Sequence, residues 1–131
     1  MMKSFWKGID EDKVSSISDE EFLKLLGSRE RRTLLRIKSN PRLKKFMETV
    51  KKVQTSNPTK LIKTHVREAV IMPSWIGLVF GVYNGKEYKK VEITMNRVGR
   101  RLGDFSHSVG RVMHSGPGVG ATRGSKFVPL K

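Results

Sequence analysis

The chain has 131 residues, with 27 Lys and Arg against 12 Asp and Glu and a formal charge of +15. At 37% hydrophobic residues it can build one modest core but not bury its whole length, and its self-repulsion calls for a polyanionic partner, nucleic acid above all. No cysteine is present, which excludes disulfides and thiolate metal sites; charged residues also break every apolar run short of the ~20 residues of a membrane helix, so the composition predicts a soluble cytosolic protein with no membrane partner.

Charge is unevenly placed along the chain. Through Leu26 there are four basic and six acidic residues (net −2), leaving 23 basic and six acidic for the rest (net +17). The first segment is therefore expected to meet protein and the remainder RNA. Met1 to Ile9 lacks an apolar stretch of signal-peptide length. Ser18-Asp-Glu-Glu21 has capping-box spacing and predicts a short helix with Phe22, Leu25 and Leu26 on its apolar face and Gly27 as a left-handed C-terminal cap. Ser28 is expected to cap a second helix running from Arg29 to Lys38, before Asn40-Pro41 starts a third.

In the third helix Leu43, Phe46, Met47, Val50 and Val53 recur at steps of three and four, while Arg42, Lys44, Lys45, Lys51 and Lys52 fall mostly on the opposite side. A solvated lysine face would normally intersperse more Glu than the single Glu48, so RNA contact is the reading adopted. Thr55-Ser-Asn-Pro-Thr59 reads as a linker. After it, Ile76 to Tyr83, Asn84-Gly85 and Lys86 to Thr94 predict a β-hairpin with a type I′ turn, in which Val82 faces Glu87, Phe80 faces Lys89 and Leu78 faces Val91. One face, Ile76, Leu78, Phe80, Val82, Val91 and Ile93, is predicted core. The other carries Gly77, Gly81, Tyr83, Lys86, Tyr88 and Lys90, where small residues permit close approach and Tyr and Lys can engage a sugar-phosphate chain; a solvent face with tyrosines covering glycine gaps is the competing reading.

Met95 to Phe105 is predicted to form a short helix with Val98, Leu102 and Phe105 inward and Arg97, Arg100 and Arg101 outward as a forked phosphate site. From His114 onward the chain is glycine-rich and free of carboxylates, and Arg123, Lys126 and Lys131 give it charge without a core. Such a tail takes its shape from a polyanion. Arg111 and His114, which lead into it, are placed in the same RNA-binding set.

Enzymatic chemistry finds no footing. His65, His107 and His114 form no i, i+4 metal pair and have no carboxylate cluster, and they read as RNA contacts or tail residues. Gly116-Pro-Gly-Val-Gly120 lacks the third glycine of a dinucleotide loop, and Gly124-Ser-Lys is the wrong ending for a P-loop. Asp104, Ser106 and His107 are adjacent in sequence, which does not give triad geometry. No catalytic residue, metal or cofactor is expected.

Four motifs together resemble one universal family: Pro73-x-x-Ile-Gly77, Val82-Tyr-Asn-Gly-Lys86, Val98-Gly-x-x-Leu-Gly-Asp-Phe105, and His114-x-Gly-Pro-Gly-Val-Gly-Ala-Thr122 through Phe127-Val-Pro-Leu-Lys131. The family is the ribosomal protein of the small-subunit head, numbered nineteen in bacteria and fifteen in eukaryotes. Phe5-Trp-Lys-Gly-Ile-Asp10 and Arg29-x-Arg-Arg32 resemble the helical extension of its eukaryotic and archaeal branch, so the likeness spans nearly the whole chain. It implies an α+β domain on ribosomal RNA beside neighbouring head proteins, an RNA-binding basic segment at Lys63-Thr-His-Val-Arg67 before the first strand, and a tail that approaches transfer RNA near the decoding region. Where the family's helix motif commonly has His after its first glycine, this chain has Arg100, which keeps a donor and adds permanent charge.

The expected architecture is thus an α+β fold: an N-terminal helical extension (1–57), a small mixed-sheet domain built on the hairpin (58–112) and an extended basic tail (113–131). The expected function is structural, in the small ribosomal subunit, with Lys63, His65, Arg67, Lys86, Tyr88, Lys90, Arg97, Arg100, Arg101, Arg111, His114, Arg123, Lys126 and Lys131 on RNA. A free-standing regulator of a specific RNA or DNA site is the alternative, and an interaction protein docking through its acidic N-terminal segment is a third.

Overall fold

The computed structural model describes residues 4–114, so the contacts expected of Arg123, Lys126 and Lys131 lie outside the described residues. The fold is α+β, as expected. It opens with a feature that the sequence reading missed. Phe5–Trp6 (β1) and Ile9–Asp10 (β2) pair antiparallel around Lys7 and Gly8, at φ 48° and 84°. Two consecutive left-handed residues are what a two-residue type I′ turn requires.

Three short helices follow: Glu11–Val14 (α1), Asp19–Leu25 (α2) and Ser28–Leu35 (α3). Ser18 Oγ accepts a 3.5 Å bond from the Glu21 amide at the start of α2. Gly27 is not a left-handed cap: at φ −62°, ψ 160° it is extended and serves as the N-cap of α3. The carbonyls at the end of α2 go instead to Arg31, whose Nε reaches Leu23 O at 2.8 Å and whose Nη2 reaches Lys24 O and Leu26 O at 3.3 and 3.1 Å. Helix α3 also stops at Leu35, short of the expected Lys38, and the chain tightens into a 3-10 turn at Ile37–Ser39. Pro41 accounts for this, since the residue before proline must be extended, and Asn40 is (φ −113°, ψ 97°). Asn40 Oδ1 then caps Pro41–Ser56 (α4) by accepting from the Leu43 amide at 3.3 Å.

Helix α4 buries Leu43, Phe46 and Val50 and keeps its lysines exposed, as the periodicity predicts. It packs on a three-stranded mixed sheet of Ile62–Thr64 (β3), Val79–Tyr83 (β4) and Tyr88–Glu92 (β5), in the order β3-β4-β5. β3 runs parallel to β4, and β5 antiparallel to it. The expected hairpin register is corrected by two residues: Tyr83 faces Tyr88, Val82 faces Lys89 and Phe80 faces Val91. The physical reason is the Asn84 side chain. Its Oδ1 accepts from the amides of Lys86 and Glu87 at 3.0 and 2.9 Å, drawing Glu87 into the position opposite Asn84; of the turn residues only Gly85 has positive φ, so the turn is not type I′. A shift of two preserves side-chain parity, so Leu78, Phe80, Val82, Val91 and Ile93 are buried as expected.

The expected helix from Met95 to Phe105 does not form. Two 3-10 turns, Met95–Arg97 and Leu102–Phe105, flank Gly99 at φ +83°, and between them the chain pairs with the segment before the sheet. Ile71 N bonds Arg100 O (2.8 Å), Gly99 N bonds Ile71 O (3.0 Å), Leu102 N bonds Ala69 O (3.1 Å) and Gly103 N bonds Arg67 O (3.0 Å). Backbone partners across the chain outcompete the local helix because they leave Val98 and Leu102 buried all the same.

Two buried clusters result. One unites α4 with the sheet, through Phe46, Trp75 and Phe80; the other packs Trp6, Val14, Phe22 and Leu26 on Val70, Met95 and Val98. Both cross residue 57, where the chain changes from helix to strand. Trp6 Nε1 donates to Val98 O at 3.1 Å, fastening the N-terminal hairpin to the Gly99 turn. None of the helices among the described residues is long and apolar enough to cross a membrane.

Gly99 tests this junction. A Cβ there would stand 3.1 Å from Leu26 Cδ2 and 3.2 Å from Trp6 Cζ2, on a left-handed backbone. Gly99→Ala should lower stability by about 2–4 kcal/mol, combining backbone strain with overpacking. Gly85→Ala, also at positive φ but with nothing within 4 Å, should cost only about 1–2 kcal/mol. Urea midpoints of the two variants measure the difference.

Candidate nucleic-acid interface

The outer face of the sheet is ordered by its register into two cross-strand rows. In the first, Lys63 pairs with Gly81 and Gly81 with Lys90. In the second, Tyr83 pairs with Tyr88, ring centroids 5.1 Å apart, and His65 closes the row at 4.4 Å from Tyr83 and 5.5 Å from Tyr88. His65 Nε2 and the Tyr88 hydroxyl share a 2.9 Å hydrogen bond. Lys63 Nζ stands 5.5 Å over the Tyr88 ring. The two-residue register correction is what brings the tyrosines together; the expected pairing would have placed Lys86 opposite Tyr83.

Gly81 does not open the backbone to a ligand. It is buried beneath Lys63, Tyr88 and Leu61, and a Cβ would meet Lys63 Cγ at 3.4 Å and Tyr88 Cβ at 3.5 Å. Its bareness lets these side chains lie across the strand, so the tyrosine does cover a glycine gap. Tyr88 nevertheless stays 39% exposed, enough to present an aromatic surface beside two ammonium groups. Lys90 meets Glu92 at 3.1 Å, but both are mostly exposed, and such a pair yields readily to a stronger anion. Lys86 is exposed in the turn.

Lys63 lies within β3, so the basic segment Lys63–Arg67 does not precede the first strand of this sheet but forms it and continues from it. Arg67 is half-buried and occupied by protein. Its Nη1 donates to Tyr83 O at 2.8 Å, and its Nη2 to Gly103 O at 3.1 Å and to Ser106 O. The three arginines placed on one helical turn are separated by the loss of that helix. Arg97 donates to Glu92 O at 2.8 Å and stacks 4.9 Å from the Phe105 ring. Arg101 turns inward to Thr33 Oγ1 at 2.8 Å and Glu68 O at 3.4 Å. Arg100 is exposed, as are Arg111 and His114.

Ser106, adjacent to Asp104 and His107 in sequence, is fully buried and donates to Val82 O at 3.1 Å; Asp104 Oδ2 accepts from the Arg101 amide at 3.2 Å. Both groups work as structural hydrogen bonds. The arginine-to-carbonyl clamps were not foreseen from sequence, which shows a guanidinium's charge but not which carbonyls lack partners.

Residues 36–114 match the family model described as ribosomal protein S19. Small ribosomal subunit protein uS19 of Thermoplasma acidophilum is 44% identical over 126 residues, spanning 96% of this chain and 80% of the relative. The protein of the same name from Methanococcus maripaludis is 39% identical over 130 residues, with the same shares. The chain belongs to the ribosomal protein S19 family. The resemblance drawn from the motifs is thereby borne out. The family model begins at Arg36, the C-terminal cap of α3, so the part it matches takes in the 3-10 turn at Ile37–Ser39, α4, the sheet and the 99–106 segment, with α1 to α3 and the β1–β2 hairpin lying ahead of it.

Within that fold Arg67 carries a load that lysine cannot, because one ammonium cannot span carbonyls of β4 and of the 3-10 turn. Arg67→Lys should lose about 2–3 kcal/mol of stability, the scale of hydrogen bonds to a charged donor. Lys63→Arg, on the open face, should melt at the wild-type temperature.

Proposed function

We infer that this chain is a structural constituent of the small ribosomal subunit, working in the cytoplasmic ribosome by organising ribosomal RNA and catalysing nothing. The observation that carries the reading is the double row on the sheet, lysines beside stacked aromatics, in a family member of charge +15. Aromatic faces take bases or riboses, and the flanking ammonium groups take phosphates, a combination suited to RNA strands whose bases are accessible. Lys63, His65, Tyr88 and Lys90 form this surface, with Lys86 at its turn end.

Arg100, Arg111 and His114 extend the contact along the segment leading to the tail. Arg67, Arg97 and Arg101 contribute positive field while their donors hold the domain together. The placement is the head of the subunit, beside other head proteins, with 113–131 as a tail whose Arg123, Lys126 and Lys131 reach RNA and approach transfer RNA near the decoding region. The 58–112 segment, with α4 against its sheet, is the RNA-binding body, and the acidic stretch ahead of it in the 1–57 extension meets protein. No observation on the described residues favours a free-standing regulator.

The chain should sediment with small subunits in sucrose gradients of cell lysate; its absence from those fractions sinks the reading. Binding of the purified protein to a small-subunit ribosomal RNA transcript should weaken steeply with salt, with a log–log slope of roughly 0.7–0.9 per phosphate contacted. Tyr88→Ala should weaken that binding about 5- to 150-fold, the range for loss of one stacked base, while loss of its ring pairing with Tyr83 lowers stability by only about 0.5–1.5 kcal/mol and leaves the chain folded.

A further inference from the structure

The arginines of α3 divide into two sets. Arg31 turns back to cap the carbonyls of α2. Arg29, Arg32 and Arg36, spaced by three and four, share a different stripe of the helix and its end. That stripe walls a cleft of about 420 Å³ that also takes in Asn40 at the amino end of α4, Glu68 and Arg101.

The two arginine sites behave differently. Arg101 is satisfied within the protein, by Thr33 Oγ1, Glu68 O and, at 3.9 Å, Glu30 Oε1. The guanidinium groups of Arg29, Arg32 and Arg36 have no hydrogen-bond or ion-pair partner among the described residues, and all three side chains are exposed. The lining holds four arginines against the carboxylate of Glu68, and with Arg101 also paired to Glu30 the cleft is left at net +2. A solvated helix face normally mixes the two signs; this one gathers like charges around a concavity, where each raises the energy of the others until an anion enters. The first turn of α4, which opens onto the same space, holds no acidic residue either.

Guanidinium forks bind phosphate and carboxylate alike, so position decides between them. The stretch from His65 to Glu68 joins the aromatic face of the sheet to the cleft. Three residues span at most about 10 Å. Arg42 Nη2, bonded to His65 O at 3.1 Å, fixes α4 against that stretch. A nucleic-acid strand lying on His65 and Tyr88 therefore has neighbouring phosphates within reach of the cleft.

We propose that the cleft between α3, the amino end of α4 and Arg101 is a second RNA site, in which Arg29, Arg32 and Arg36 grip the phosphate backbone of ribosomal RNA. This rests on the ribosomal RNA reading above and adds a site to it.

The test uses the full chain and a small-subunit ribosomal RNA transcript, titrated across a range of salt. R29Q/R32Q/R36Q should reduce the log–log salt slope by about 2–3 if each arginine meets one phosphate. The charge control K13Q/K24Q, on the acidic N-terminal segment, should change it little. R32Q alone should lower the slope by about 0.7–0.9, which keeps the test open should the triple variant fail to fold. If the wild-type chain shows no saturable, salt-dependent binding, the ribosomal RNA reading itself fails. If it binds, and the cleft variants lose no more slope per charge than the control, the cleft proposal alone is overturned. It is equally overturned if the triple variant binds RNA like wild type but no longer retains an acidic small-subunit protein.

Discussion

The structure depends on the pairing of residues 67–71 with 99–103. These two irregular segments exchange backbone hydrogen bonds from Gly103 to Gly99, with Val70 and Arg101 as a bridge, and neither belongs to a regular strand. The pairing places Val66, Ala69 and Ile71 in the core beneath the sheet and Val70 in the core beneath the N-terminal hairpin. Alternating side chains of one extended stretch thus join the two clusters. Arg67 closes the ladder at one end by reaching the carbonyls of Tyr83, Gly103 and Ser106. At the other end Gly99, left-handed, turns the chain under Trp6 and Leu26.

From this ladder the rest follows by continuity. Immediately before Arg67 the chain supplies Lys63 and His65 to the outer face of the sheet, and immediately after it Glu68 lines the α3 cleft. The basic segment is therefore a structural spine that holds its alternate side chains on the outer face of the sheet. A strand whose inward residues are locked in a core holds its outward residues at defined spacing, which is how a surface rich in long, flexible lysines acquires a shape.

Much of this was legible in the sequence where a regular period was at work. Helix α4 shows its three- and four-residue recurrence, its asparagine cap and its leading proline; it starts at that proline and runs two residues into the expected linker, to Ser56. The hairpin's alternation identified its buried face, although Asn84, by bonding two amides of the turn, moved the register by two residues. What was hidden lacked a period or a local cause. Met95 to Phe105 carries helical spacing, yet its amides and carbonyls found partners some thirty residues away. The Lys7-Gly8 turn joins strands of two residues each, too short to show alternation. The family motifs placed the fold, but the tyrosine pair and the arginine clamps became visible only with the register and the free carbonyls in view.

Those clamps bear on what a charge of +15 means. Arg31, Arg42, Arg67, Arg97 and Arg101 each donate to backbone carbonyls at places where the chain leaves a helix, a strand or a turn. A chain with 37% hydrophobic residues and many short elements has more orphaned acceptors than its apolar core can organise, and a guanidinium, with five donors, satisfies several at once. Apart from Arg101, which also meets Glu30 Oε1 at 3.9 Å, each clamp still projects its charge, because a hydrogen bond to a neutral carbonyl neutralises nothing. The same residues therefore stabilise irregular backbone and add to the field that attracts RNA, whereas the lysines of the sheet and Arg29, Arg32 and Arg36 keep their charged ends exposed. Counting basic residues overstates the contacts such a protein makes and understates how much of its fold is held by charge-assisted bonds.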